Sequence, residues 1–300
     1  QINATLRNAR ADYINPMMLY PVSHEPGTKD LNPVLSTVIP TNLGGTEDLK
    51  RALDALAFHD NTSAFISRQL IQRLVTDNPS PAYVYRVAEV FRRQQNSSDQ
   101  LNLVVRAILT DYEARSAAVI DDPGYGKLKE PLLRFTGFLR SFNAASSSGR
   151  NNQDNVQNSL AQAPLRAQSV FNFFEPDYVF PGDLARAGLV APEFQITDDT
   201  TAISVPNFLR TAIFAAATGA NAAKVLVPNY TAELALVSNI PALLDRLNLL
   251  MTAGQMSTAT RTRITTTLSG LPATTAAQQL ERVQTAVLLV ATSPDGASQR

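Results

Sequence analysis

The 300-residue sequence contains no cysteine, no tryptophan and only two histidines, His24 and His59. The lack of cysteine excludes disulfides, thiolate zinc sites, iron–sulfur clusters and cysteine nucleophiles. Two histidines are too few for a three-histidine metal centre built from this chain alone. These absences remove several common classes of redox and metal protein, and we expect no bound cofactor.

The sequence also lacks an excess of charge of either sign. Its 26 basic and 26 acidic residues give a formal net charge of zero and a pI of about 7.0. A protein that coats nucleic acid normally carries a basic excess, so we expect no nucleic-acid partner. No apolar run reaches about 18 residues, so we expect no transmembrane segment.

Prolines recur through the start of the chain, at positions 16, 21, 26, 33 and 40. Because no hydrophobic period runs between them, residues 1–45 predict an extended proline-rich N-terminal segment, with a small β-hairpin around residues 34–39. The chain opens on Gln1 with neither a charged nor an apolar leader. We therefore expect Gln1 to be a processed end or a cut inside a longer protein.

Residues 46–300 predict one helical domain, because their apolar residues recur every three or four positions. Ser80 followed by Pro81 is a typical helix start, with a capping hydroxyl and a proline at the first helical position. The pattern also predicts one long helix over residues 192–217, either continuous or interrupted at Pro206, and a turn at 123–126 that leads into the helix of Leu128. The apolar stripes include Leu49/Leu53/Leu56, Ile66/Leu70/Leu74, Val84/Val87/Phe91, Val104/Ile108, Leu132/Phe135/Leu139, Leu243/Leu247/Leu250, Ile264/Leu268 and Val283/Val287/Val290.

The fold class predicted is therefore all-α, an irregular multi-helix globular domain with long proline-rich and aromatic loops. No region alternates polar and apolar residues over a credible set of strands. Residues 144–162 are rich in Ser, Asn and Gln and would bury little surface. They predict a polar mobile loop with a short helix at most.

An aromatic segment follows this loop. Four phenylalanines and one tyrosine lie within residues 169–182, which prolines and a glycine interrupt. These side chains cannot all face water, so the segment crosses either the core or the surface of a partner. The candidate partner-binding residues are Phe171, Phe173, Phe174, Tyr178 and Phe180.

Acidic residues surround the aromatic segment, and they are the weak metal candidates of this chain. Asp177, Asp183 and Glu193 could supply oxygen ligands to a hard cation, but their spacing matches no calcium-binding loop. The alternative is that Asp198 and Asp199 of the same region cap a helix and the others are ordinary solvated acids. The same carboxylates could serve as acid and base in polymer hydrolysis, which makes an envelope hydrolase or accessory subunit, with carboxylate or metal-assisted chemistry, the alternative function.

Arginines and histidines leave two further alternatives open. The helical segments carry Arg68, Arg73, Arg86, Arg106, Arg134 and Arg140. These side chains either pair with acids between helices or clamp carboxylates or sulfates with two parallel hydrogen bonds. His24 beside Glu25 could form a general base with an orienting carboxylate, although a loop histidine is more often a surface residue. His59 is predicted to cap a helix C-terminus.

Four short segments, taken in order, carry a family resemblance. They are FISRQLIQRLVTDNPSPAYV at 65–84, GKLKEPLLR at 126–134, SVFNFF at 169–174 and GLVAPEFQI at 188–196. Together they resemble a bacterial family known as domain of unknown function 1800, from about Met17 to the end of the chain. The resemblance implies the C-terminal part of a longer protein. It supplies no catalytic residues, because none is established for the family.

The resemblance also implies export, because many members carry export signals, and hence a periplasmic or extracellular location in a bacterium. It implies a neighbouring sulfatase-like protein as one partner. Together with the lack of a catalytic constellation and the aromatic segment, this predicts a partner-binding or structural protein of the cell envelope. The partner would be another protein or a second copy of the chain.

Overall fold

The computed structural model describes residues 18–151, 153 and 155–300. Residues 1–17, which begin the predicted proline-rich segment, and residues 152 and 154 of the polar loop lie outside the described residues. The described residues are mainly helical, with two small antiparallel sheets of two strands each. The prediction of an all-α fold is therefore confirmed.

The helices are α1 Gly45–Ala57, α2 Thr62–Leu74, α3 Pro81–Arg93, α4 Gln100–Thr110, α5 Tyr112–Arg115, α6 Pro131–Ser141, α7 Gln157–Leu160, α8 Asp183–Arg186, α9 Thr201–Ile213, α10 Thr231–Leu234, α11 Ile240–Thr252, α12 Thr258–Ser269, α13 Ala276–Thr292 and α14 Pro294–Ala297. The strands are β1 Lys29–Asp30, β2 Val38–Ile39, β3 Lys127–Leu128 and β4 Ser298–Gln299. Four short 3-10 turns lie at Pro21–Ser23, Ala117–Val119, Pro192–Ile196 and Ala222–Lys224.

The N-terminal hairpin pairs β1 with β2, with Lys29 opposite Ile39. Its first strand lies before the predicted range of 34–39. The intervening residues turn instead of pairing, because the Asp30 carboxylate accepts a hydrogen bond from the Asn32 N–H at 2.9 Å. Pro33 then has no N–H to give to a ladder.

A first apolar cluster joins α2, α3 and α4 around Ile71, Tyr83, Val87, Val104 and Ile108. The predicted cap is confirmed, since the Ser80 hydroxyl accepts from the Tyr83 N–H at 3.0 Å. The Tyr83 hydroxyl donates to the Ile108 carbonyl at 2.8 Å, which satisfies its buried polar atom. The cluster therefore fixes the end of α2, where the site described below begins.

The second and larger apolar cluster surrounds α13. Val283, Val287 and Val290 are fully buried there, and the helix packs against α9, α11 and α12. The phenylalanines of α6 join the same cluster. The valines recur at four- and three-residue spacing, so one face of α13 forms the centre of this core.

The structure corrects two predicted elements. Residues 192–217 do not form one helix: a 3-10 turn ends at Ile196, and α9 begins at Thr201 because the Asp198 carboxylate accepts from the Thr201 N–H at 2.7 Å. Leu128 lies in β3, not in a helix. The helix begins three residues later, because Glu130 is extended before a proline at the first helical position.

Among the described residues of the polar region 144–162, Gln157–Leu160 form the short helix α7. The end of this region is not solvated, however, because Leu160 and Gln162 are buried. The Gln162 amide donates to Glu130 at 2.8 Å and accepts from the Leu132 N–H at 3.3 Å, at the start of α6. The region thus anchors itself at its C-terminal end.

Candidate functional site

Three ionisable side chains meet in the interior of the protein, next to the end of α2. Lys127 Nζ lies 2.6 Å from Glu193 Oε1 and 4.0 Å from Asp77 Oδ1. The exposed fractions of the three side chains are 3%, 1% and 5%. Charged groups this deep are rare unless they are paired. We call these three residues the buried ion cluster.

The end of α2 and strand β3 position Lys127 in this cluster. Gly126, with φ of +107°, precedes it, and a Cβ there would lie 2.5 Å from the Gln299 carbonyl oxygen. Only glycine fits such a conformation and such an approach. The Thr76 hydroxyl accepts from the Gly126 N–H at 2.9 Å, and the Asp77 N–H donates to the Gly126 carbonyl at 3.1 Å.

Two amide side chains fasten the aromatic segment and residues 188–196 to the same place. Gln72 Nε2 donates to the carbonyls of Asp77 and Pro176, at 2.9 and 3.0 Å. Asn78 both donates to the Val190 carbonyl and accepts from the Val190 N–H, each at 3.0 Å. Three of the four segments that carry the family resemblance, 65–84, 126–134 and 188–196, therefore meet at the buried ion cluster, and Pro176 joins them two residues after the fourth.

One proton balances the charge of the buried ion cluster. Burial, together with the charge and hydrogen bonding of Glu193, raises the pKa of Asp77 to about 8. Asp77 therefore carries a proton near neutral pH, and the Lys127–Glu193 pair is the one pair of opposite charges. Asp77 Oδ1 and Glu193 Oε2 are each buried without a conventional partner. Hydrogen bonding between the Asp77 carboxyl and Glu193 is one of the causes that raise the pKa of Asp77.

The three acidic residues proposed as weak metal candidates lie in different surroundings. The Asp183 side chain is 92% exposed and pairs with Arg186, whereas Glu193 is buried against Lys127. Asp177 is exposed. Within the part of the chain that the structure describes, no group of three or more His, Asp or Glu residues is arranged to hold a metal ion.

The aromatic candidates are divided between interior and surface. Phe174 is buried under the Arg73 guanidinium, which lies 4.2 Å from the ring centroid. Phe180 packs against Phe194 with the ring centroids 4.9 Å apart. Phe173 and Tyr178 are half-buried. Phe171 alone among the five is largely exposed, at 73%.

Both histidines and Arg86 have structural partners. His24 Nε2 lies 2.8 Å from Asp48 Oδ2, so its carboxylate partner is not the neighbouring Glu25. His59 Nδ1 accepts from the Asn61 N–H at the start of α2. Arg86 forms two parallel hydrogen bonds with Asp111 at 2.7 Å, which is the interhelical ion pairing that the sequence left as one alternative.

Helix α1 carries an apolar stripe that faces outward, which the sequence did not indicate. Leu49, Leu53 and Leu56 are 49%, 55% and 51% exposed, while Asp48 on another side of the helix is buried. The Asp48 carboxylate holds Lys29 at 2.7 Å and His24. Through these polar contacts, the hydrophilic side of α1 binds the segment that contains His24 and strand β1. We call the three leucines the α1 leucine face.

Comparison with known proteins assigns the chain to a family by its sequence. The chain belongs to the family described as "Protein of unknown function (DUF1800)", whose model matches residues 3–296. Searches of curated proteins and of solved structures gave no match. None of the described helices has the length and apolar character needed to cross a membrane.

Proposed function

We propose that this protein binds a protein partner through the α1 leucine face. The observation that carries the proposal is an amphipathic helix whose apolar stripe faces solvent, at positions i, i+4 and i+7. Such a stripe normally packs against the core, and exposed apolar patches of this kind mark interaction surfaces. Phe58 and Phe65, both about half exposed, follow directly after the stripe.

The chemistry of the partner follows from the charges on α1. Lys50 pairs with Asp54, and Glu47 pairs with Arg51, each within the helix. These charged side chains of α1 therefore neutralise one another, so the helix does not favour a strongly charged partner. The surface fits the apolar stripe of an amphipathic helix, which packs ridges into grooves against the leucines.

A second exposed apolar surface supports the same function. Leu165, Val170 and Phe171 are almost fully exposed in the loop before α8. Leu165 has a φ of +58°, which is costly for a branched side chain. Phe171 is the one predicted partner-binding residue that this loop leaves available to a second molecule.

The family resemblance supports the cellular part of the proposal. We place the protein in the periplasm or outside a bacterial cell, as a binding or assembly component of the envelope. The partner proposed there is either a sulfatase-like neighbour or a second copy of this chain. No specific observation favours the alternative of a hydrolase, because the carboxylates named for it do not come together.

Site-specific photo-crosslinking in fractionated producing cells tests this function. A benzoylphenylalanine at position 58 is expected to crosslink one defined protein in the envelope or extracellular fraction. Leu53→Glu in the same chain should reduce that product at least tenfold, because it places a charge in the apolar contact. Leu101→Glu, at a leucine of α4 that is 60% exposed, is the matched control.

The mass of the product distinguishes the two partners: twice the chain mass identifies self-assembly, and any other mass identifies a separate protein. A crosslink that Leu101→Glu weakens as much as Leu53→Glu would contradict the proposal. So would the absence of any crosslink from position 58.

A further inference from the structure

A cavity of about 260 Å³ lies beside the buried ion cluster, between α6 and the C-terminal ends of α11 and α13. Four cationic side chains line it, and its lining contains no carboxylate. The remaining wall is mostly apolar, with Leu133, Phe138 and Leu209 among its members. A concave, largely apolar space with a few converging polar groups is the usual form of a small-ligand site.

Two of the four cations are already neutralised. Lys127 is paired with Glu193, and Arg73 lies 3.3 Å from Glu130. The other two are Lys129 and Arg134. Neither of them forms an ion pair with any acidic residue that the structure describes.

Lys129 and Arg134 have only backbone partners. Lys129 Nζ donates to the carbonyls of Met251 and Gly296, at 3.0 and 3.4 Å. Arg134 Nη2 donates to the carbonyl of Ala291 at 2.7 Å. Met251 and Ala291 lie in the last turns of α11 and α13, so these bonds cap helix C-termini, which is an ordinary structural role.

Capping the two helix ends does not neutralise the charges of Lys129 and Arg134. Each helix end supplies about half a negative charge, so two ends leave roughly one positive charge in the cavity wall. Arg134 Nε is buried with no hydrogen-bond acceptor. Burial lowers the pKa of Arg134, and burial together with the repulsion of Arg134 lowers the pKa of Lys129. Burial therefore removes water from both cations, and no described carboxylate compensates for the lost solvation.

We propose that this cavity binds a small organic anion, with its oxyanion group between Lys129 and Arg134 and its apolar part against Leu133 and Phe138. Arg134 Nε, which lacks an acceptor, and the Lys129 ammonium could each donate to an oxygen of a carboxylate, sulfate or phosphate, the anions that guanidinium and ammonium groups bind. The volume fits a ligand of a few carbon atoms. This site is separate from the α1 leucine face and does not rest on the proposed partner.

Calorimetric titration of the full chain with hexanoate, hexyl sulfate, hexyl phosphate and the neutral control hexanol tests the site. At least one of the three anions is expected to bind with one-to-one stoichiometry, and hexanol is expected to bind at least tenfold more weakly. The tightest of the three anions identifies the oxyanion chemistry. Arg134→Gln and Lys129→Gln should each weaken binding about tenfold or more, while Arg106→Gln, at an exposed arginine of α4, should not.

A second variant keeps the test independent of these charges, because losing a capping cation could impair folding. A Cβ at Gly137 of α6 meets no atom within 4 Å, and the residue lines the cavity. Gly137→Leu should therefore fill the space, leave the helix intact and abolish binding. Failure of all three anions to bind, equal binding of hexanol, or unchanged binding by Gly137→Leu would overturn the proposal.

Discussion

The buried ion cluster contains two carboxyl groups, Asp77 and Glu193, but only one cation, Lys127. Because one cation cannot neutralise two carboxylates, Asp77 carries a proton. Burying an unpaired charge costs far more than neutralising it. The neutral carboxyl can also donate to Glu193, so it fills a hydrogen-bonding role that a carboxylate cannot. At the scale of single residues, Asp77 is therefore the point at which the stability of this chain responds to pH.

Asp77→Asn makes that response measurable. The folded pKa of about 8 lies above the ordinary value of 3.8, so folding takes up a proton between these values. The free energy of unfolding then falls as pH rises through that window. Asparagine at position 77 is uncharged and offers a hydrogen-bond donor at every pH. We expect its thermal midpoint to match the wild type near pH 4 and to exceed it by roughly 3–6 °C at pH 8.

The control for this prediction is Asp183→Asn, at an acid with an almost fully exposed side chain. Its midpoint should follow the wild type at every pH in calorimetry or circular dichroism. A parallel pH profile for Asp77→Asn and the wild type would show that Asp77 is ionised in the folded protein.

The sequence could not predict the buried ion cluster. Asp77, Lys127 and Glu193 are far apart in the chain, and each is a common residue in a polar context. Of the three, the sequence marked only Glu193 as a candidate, for metal binding or for acid–base hydrolysis. The four family segments did indicate the right region, because all three residues lie within them. Which side chains turn inward depends on tertiary contacts such as Thr76 to Gly126, which no periodicity encodes.

At the scale of elements, helical periodicity predicted α1 to α4, α6 and α11 to α13 well. It failed where a polar side chain set the start of a helix by a specific bond, as Asp198 does for α9. Periodicity also does not give the orientation of a helix relative to the core. The spacing of Leu49, Leu53 and Leu56 predicts a helix, but not which of its sides is buried. The neighbouring residues decided that, through the contacts of Asp48 with His24 and Lys29.

The contact between α14 and the end of α13 depends on one glycine. A Cβ at Gly296 would lie 2.0 Å from the Val290 carbonyl oxygen, so Gly296→Ala must displace the backbone of one helix. We expect it to lower the free energy of unfolding by about 1–3 kcal/mol. Gly137→Ala, in the open space of α6, should raise it by about 0.5–1 kcal/mol.

Urea denaturation of the two alanine variants measures both values. The opposite signs matter more than the magnitudes, since both changes add one methyl group to a glycine near the same cavity. Equal effects of the two variants would show that the close approach of Gly296 to α13 is absent in solution.

At the scale of the whole molecule, the buried ion cluster and its amide side chains connect segments that are far apart in the chain. Asn78 bridges to Val190 across 112 positions of sequence with both of its polar atoms. Asn78→Ala leaves the N–H and the carbonyl of Val190 without these partners. Unpaired backbone groups cost about 1–3 kcal/mol each.

We therefore expect hydrogen exchange of residues 188–196 to become roughly tenfold faster or more in Asn78→Ala. Exchange within α13 should not change. Asn102→Ala, at an exposed asparagine of α4 that bonds only locally to Asp99, is the control. Uniformly faster exchange throughout Asn78→Ala would instead mean global destabilisation and would contradict a local bridging role.

The pairing of β3 with β4 has a consequence for the time course of synthesis. Gln299 donates to the Leu74 carbonyl at 3.1 Å across 225 positions, and its own backbone closes against Gly126 and Lys127. A ribosome adding about 5–20 residues per second takes roughly 10–45 s to travel from Leu74 to Gln299. The helices α2 to α4 can pack during that interval. Strand β3, which carries Lys127, can therefore pair with β4 only after the last residues of this sequence have been synthesised.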